Sequence, residues 1–290
     1  MREELIDVSQ AIKGFEGFIG SWYIADDKSM IFDVGPPRSA RYLIDALDDK
    51  GIKKVDYIFL THIHIDHAGG LAELLAYFPM ACAVCHRKGI RHLTDPSDLW
   101  LNSKEVLGKT AEAYGMPKPV ARNRVIAHDE LMIDDVLVLE TPGHAAHHLS
   151  FCYKDRLFAG EAAGIHLIIK GSEYMRPATP PVYFFESSVR SIEILSKLDD
   201  MPIYFPHFGK GESSHRHLRN YLDQLNLWKN EIHNQIHLGT DDIIERCLHE
   251  FLDKDVRLKA FDKMTEENKI REKADLELCI NGFFKAVSSL

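Results

Sequence analysis

With 290 residues, 45% of them hydrophobic and 27% charged, the chain can bury a large core in one big domain or two smaller ones. Its formal net charge of −9 leaves no electrostatic footprint for nucleic acid, and no apolar run approaches the length of a membrane span. The opening Met1–Asp7 lacks the basic start and apolar centre of a secretion signal, so the expectation is a cytoplasmic enzyme with reduced thiols.

From Gly17 to about residue 212 the pattern is of strands alternating with helices. Met30–Gly35 reads as a strand whose continuation Pro36 and Pro37 block, and Ser39–Leu47 as a helix with Tyr42, Leu43, Ala46 and Leu47 on one stripe. Val55–Leu60 is apolar enough for a buried strand, and a helical pattern opens after Gly69-Gly70. Met80–Cys85 is a further short strand. It contains Cys82-Ala-Val-Cys85-His86, which spells the attachment motif of c-type haem. Without an export signal, the two cysteines are better read as small apolar core residues.

Residues 91–119 are more polar and read as helix outside the sheet. Strand signals return at Asp135–Glu140, Leu149–Tyr153, Arg156–Ala159 and Ile165–Lys170, with connections short enough to predict antiparallel neighbours. Residues 171–186, rich in proline and aromatics, read as an irregular loop in which Tyr174, Arg176, Pro177, Thr179 and Tyr183 are candidates to wall a pocket. Ser187 is placed to cap a helix carrying Val189, Ile192, Leu195 and Leu198, and Met201–Phe205 makes a last strand. Residues 215–290 contain no proline or strand-like alternation and predict three or four helices, broken near Gly239-Thr240 and Gly282. The division expected is a catalytic domain over 1–212 and a stabilising helical extension over 213–290.

The chemistry is concentrated in Thr61-His62-Ile63-His64-Ile65-Asp66-His67. In an extended segment, His62 and His64 leave the same face and can grip one metal ion. Asp66 and His67 follow where the chain turns towards the helix and can serve a second. Three more strand ends carry ligand chemistry: Thr141-Pro142-Gly143-His144, Gly160-Glu161 and Pro206-His207. Each alone reads as a surface residue. Four strand ends bearing ligand chemistry point to one site at one edge of a sheet assembly.

This ordered set resembles the metallo-β-lactamase fold superfamily over about residues 17–212, with a metal set like that of its glyoxalase II and lactonase members. The resemblance implies an α+β protein, an αβ/βα four-layer sandwich with the site at one sheet edge, here followed by C-terminal helices. It implies one ion on His62, His64 and His144, a second on Asp66, His67 and His207, and Glu161 bridging the two. Zinc is the first choice, with iron or manganese compatible. Asp33 matches the superfamily's strand-end acid that orients a ligand. The bridging acid is usually Asp, so Glu161 departs by one methylene; an acid here at all argues against a true β-lactamase.

Two ions a few ångströms apart would share a hydroxide, with Asp66 as the catalytic residue that orients it or relays its proton. Hydrolysis of an ester, thioester, lactone or phosphodiester is the leading reading. The alternatives are a mononuclear iron dioxygenase of persulfides, which shares the first motif, and an RNA-processing nuclease, for which a basic channel would be expected. The expected partner is a small-molecule substrate. No nucleic acid or membrane is expected, and nothing in the sequence forbids a homodimer.

Overall fold

The computed structural model describes residues 2–288. A first sheet takes its strands from the N-terminal half: β1 (Arg2–Asp7), β2 (Gly20–Ala25), β3 (Ser29–Phe32), β4 (Tyr57–Phe59), β5 (Cys82–Cys85) and β6 (Val125–Ala127) lie side by side in that order. The first three pair antiparallel and the last four parallel. Between them run α1 (Ala40–Asp49), α2 (Ile65–Ala68), α3 (Leu71–Tyr77), α4 (Ile90–Thr94), α5 (Ser97–Leu107) and α6 (Lys109–Tyr114). The second half supplies β7 (Val136–Glu140), β8 (Leu149–Tyr153), β9 (Arg156–Phe158), β10 (Ile165–Ile169), β11 (Ser172–Arg176), α7 (Phe185–Leu195), β12 (Ile203–Phe205) and β13 (Gly209–Gly211). The second sheet has the order β13-β12-β9-β8-β7, and β10 with β11 forms a separate hairpin.

Alternation along the strands builds the layers. On β3, Met30 and Phe32 face the second sheet, whereas Ile31 packs towards the helices. Between the sheets, Phe32 stacks on Phe158 with centroids 3.6 Å apart, and Phe59 and Phe151 close the same layer. Outside the first sheet, Leu43 and Leu47 of α1 and Leu71 and Leu74 of α3 bury the opposite face. The result is two sheets face to face with helices outside, the sandwich that the motifs implied.

Several local expectations change. Ile165–Ile169 is not a neighbour of Arg156–Phe158, because that edge of β9 is taken by β12 in parallel register, Leu157 opposite Ile203. It pairs instead with β11, inside the stretch read as loop. All three prolines of that stretch follow Arg176, so nothing prevents residues 172–176 from pairing. Ser187 is not a cap: α7 begins at Phe185, and the preceding Phe184 N–H is held by the Gly143 carbonyl at 3.0 Å. The haem reading also fails on geometry, since Cys82 and Cys85 are three apart on a paired strand and point to opposite faces.

The C-terminal segment forms α8 (Ser214–His237), α9 (Ile243–Lys254), a 3-10 stretch (Val256–Lys263) and α10 (Glu266–Val287). The break at Gly239 is present, but Gly282 lies inside α10 rather than ending it. A Cβ at Gly282 would overlap the Thr179 and Pro180 carbonyl oxygens, so glycine serves close approach of helix to loop. Gly282→Ala should therefore lower stability by about 1–3 kcal/mol through overpacking, read from the urea midpoint. An unchanged midpoint would mean that the helix does not press on this loop.

Candidate metal centre

Parallel pairing brings the functional residues together. Strands β3 to β6 end at one edge of their sheet, and β7, β9 and β12 likewise share a direction in theirs. Asp33 follows β3, His62 follows β4, the loop to His144 follows β7, Glu161 follows β9 and His207 follows β12. Hydrogen bonds tie the two edges: Leu149 N–H donates to Thr61 O at 2.6 Å and Gly20 N–H to Pro206 O at 2.7 Å. Gly160 turns the chain with φ of 57°, and a Cβ there would lie 2.8 Å from Thr61 Cβ.

All seven residues predicted from the sequence converge. His64 Nδ1 lies 3.0 Å from His62 Nε2 and 2.9 Å from His144 Nε2. Asp66 Oδ2 lies 3.5 Å from His67 Nε2 and 3.7 Å from His207 Nε2. Glu161 stands between these groups. Its Oε2 is 2.8 Å from His144, 3.2 Å from His62 and 3.5 Å from His67, while Oε1 is 3.3 Å from His207.

The far side of most of the rings is already committed. His144 Nδ1–H donates to Ala178 O at 3.0 Å, and His207 Nδ1–H to Phe18 O at 3.2 Å. Asp33 orders two more rings. It accepts from His67 Nδ1 at 3.1 Å and from the Thr61 hydroxyl at 2.8 Å, which leaves Thr61 Oγ1 to accept from His62 Nδ1 at 3.1 Å. The proton on each of these four imidazoles therefore sits at Nδ1, and the Nε2 lone pairs face one another across the cluster. His67 Nε2 is buried with no hydrogen-bond partner. Nε2 atoms converging beside two carboxylates make a donor set that suits divalent cations.

Charge agrees with geometry. Burial holds His62 and His64 well below the usual imidazole range, and neighbouring histidines add to this, so both rings are neutral. Burial also opposes charge on His67, yet Asp66, Asp33 and Glu161 together carry it up to about 10. Without an ion these carboxylates draw a second proton onto His67, at the Nε2 position where a metal cation would answer the same negative charge. Burial resists ionisation of Glu161, but His144, His207 and His62 hold its carboxyl well below the usual range.

Sequence reasoning left His148 undecided between substrate contact and support of His144. It supports Glu161 instead: fully buried, it accepts the Glu161 N–H at its Nε2, 3.0 Å away, and its Nδ1 is anchored on Thr141 Oγ1 at 2.9 Å. Its position in His144-Ala-Ala-His147-His148 was visible, but not that its ring would turn to the Glu161 backbone. The cluster opens into a cavity of about 760 Å³. Arg176 and Thr179 line it as foreseen, whereas Tyr174 and Tyr183 are buried outside its lining. Leu99, Val106 and Leu107 of α5 and Asp275 and Leu278 of α10 complete the walls, none of which a strand-end motif could have indicated.

Residues 15–207 match the family model of the metallo-beta-lactamase superfamily. The chain belongs to that superfamily and is a metal-dependent hydrolase. It is 31% identical over 198 residues to a metallo-beta-lactamase fold-containing protein of Sulfurisphaera tokodaii, covering 65% of this chain and 72% of that protein. It is 26% identical over 273 residues to a hydroxyacylglutathione hydrolase of Pseudomonas savastanoi pv. phaseolicola, covering 88% and 85%. The crystal structure of an archaeal superfamily protein from Sulfolobus tokodaii superposes with a TM-score of 0.71 at 23% identity, over 98% of both chains, a likeness of fold.

The Asp33 arrangement yields a direct test. Asp33→Asn keeps the shape and tolerates the backbone φ of 54°, but its amide cannot accept from Thr61 and His67 as the carboxylate does. Zinc affinity measured by chelator competition should fall about 10- to 100-fold. Unaltered affinity would mean that Asp33 does not orient these rings.

Proposed function

We propose that the chain hydrolyses an ester, thioester or lactone with an apolar acyl part, using two divalent ions, zinc in the first instance. The observation that carries this is Glu161, whose carboxylate lies within 2.8 to 3.5 Å of histidines from both donor groups. His62, His64 and His144 would hold one ion and Asp66, His67 and His207 the other, with Glu161 shared. When bound, such ions supply Lewis acidity, lowering the pKa of a coordinated water towards about 7 and polarising the scissile carbonyl.

The chain's own residues do the rest. Asp66, partly exposed where the cluster meets the cavity, is the group placed to take and pass on the proton of the attacking water. Hydrogen bonds to Ala178 O and Phe18 O fix His144 and His207, so the donor set is organised before substrate arrives. Leu99, Val106, Leu107, Val182 and Phe184 give the cavity apolar walls that exclude water and accept an apolar chain.

Charge narrows the substrate. Arg176 is the only Lys or Arg among the described lining residues, and it is already paired with Glu272 and Asp275. A phosphodiester, or a conjugate bearing several carboxylates, would find no free cation in these walls. The hydroxyacylglutathione hydrolase likeness, which covers 88% of the chain, supports thioester hydrolysis as the reaction type. The apolar walls favour a less charged thiol or alcohol portion.

A panel of metal-replete assays decides the substrate class. Medium-chain esters, thioesters and lactones should exceed a simple phosphodiester in kcat/KM by at least about 100-fold; preference for the phosphodiester would overturn the assignment. The shared carboxylate has its own test. Glu161→Asp should retain both ions with a modest change in rate, whereas Glu161→Gln should lose an ion and turnover together. Full metal content in the Gln variant would remove Glu161 from the bridging role.

A further inference from the structure

A second group of histidines lies outside this cluster. His166 on β10, Glu173 on β11 and His217 near the start of α8 bring one donor atom each within 4.8 Å of one another. His166 is 1% exposed, and neither of its ring nitrogens has a hydrogen-bond partner; His217 is 2% exposed, and its Nδ1 is likewise alone. Three partnerless ring nitrogens on two buried side chains carry a substantial desolvation cost. The rings are set 82° to each other with centroids 4.9 Å apart. Strand β13 makes room for them: a Cβ at Gly211 would overlap the His217 ring, and one at Gly209 would lie 3.4 Å from His166 Nδ1.

We infer that His166, His217 and Glu173 form a further site for one divalent ion of zinc type. Two imidazoles, one carboxylate and a water make a normal tetrahedral set. Ligand bonds of about 2.0–2.2 Å require donors roughly 3.5 Å apart. Glu173 Oε1 lies 4.0 Å from His217 Nε2, and a small rotation of this half-exposed side chain closes the remaining gap while Oε2 stays on Arg216. Burial brings His166 down to about 4 and also lowers His217, so both rings keep a lone pair at neutral pH.

Arg216 opposes a cation here. Its Nη2–H donates to His217 Nε2 at 3.3 Å, a contact that an ion on that nitrogen would replace, and its charge is met by Glu173, which it grips through two contacts of 2.9 and 2.8 Å. That grip also orients the carboxylate, the role an outer partner plays around a metal ligand. A third group of the same composition shows the contrast. His86 and His128 accept backbone N–H groups from Lys88 and Arg87 at their Nδ1 atoms, at 3.0 and 3.2 Å. Their protons therefore sit at Nε2, where His128 donates to Glu140 at 2.9 Å. That group is satisfied without an ion, and the His166 group is not.

An ion here would tie the β10–β11 hairpin to α8, and so the sandwich to the C-terminal helices. The experiment is a zinc titration of chelator-stripped full-length protein, reading bound metal and melting temperature. Wild type should bind one equivalent more than the His166→Ala/His217→Ala double variant and gain more in melting temperature on zinc addition. Hydrolytic activity should be the same in both. Should the double variant fold poorly, Glu173→Gln alters only a half-exposed side chain and should weaken that one equivalent by about tenfold or more. Equal metal content and equal affinity in wild type and Glu173→Gln would overturn the site, whatever becomes of the hydrolase reading.

Discussion

A single buried carboxylate organises the centre. Asp33 sits at the end of β3 in a left-handed conformation that few residues other than glycine, asparagine or aspartate adopt. From there it accepts the Thr61 amide, the Thr61 hydroxyl and His67 Nδ1. Through Thr61 it sets the tautomer of His62, a member of one donor group; directly it sets that of His67, a member of the other. Strain at one residue is thus exchanged for alignment of both halves. Because Asp33 and Thr61 lie on adjacent parallel strands, this alignment depends on sheet register, Phe32 opposite Phe59.

The second sheet meets this arrangement with its own chain of support. Glu161 is fixed through its backbone by His148, His148 by Thr141, and Thr141 by Ser150, whose hydroxyl donates to Ala159 O at 3.1 Å. That chain runs from β7 across β8 to the end of β9, so the carboxylate between the donor groups is braced by the sheet and not by a free loop. Lengthening the usual aspartate to Glu161 is accommodated here, since its oxygens reach histidines from both groups.

Legibility in the sequence followed the same physics. Ligands at strand ends could be read because an apolar run, then a sharp turn, then a histidine or acid is a local pattern, and parallel strands place such ends side by side. Two of the edge strands could not be read in this way. Strand β1 is half buried along most of its length, and β13 is Gly-Lys-Gly, held only by pairing with β12. The glycine in α10 misled for a related reason, because a residue required by the neighbouring loop looks, in one dimension, like a helix stop. That His148 would turn inward to support Glu161 depended on contacts with Thr141 and the Glu161 N–H that no spacing encodes.

The helices beyond residue 212 belong to the working part of the molecule. Asp275 and Leu278 of α10 form one wall of the cavity, and the same helix engages Arg176 through Glu272 and Asp275. Glu272 also accepts from Tyr174 at 2.8 Å, which fastens the end of β11 to the helix. The apolar core is continuous across the join, running from Ile165 and Tyr221 to Trp228, Ile280 and Phe283. The helical segment therefore sets the cavity's charge as well as its shape, because it neutralises Arg176, the one arginine among the described lining residues.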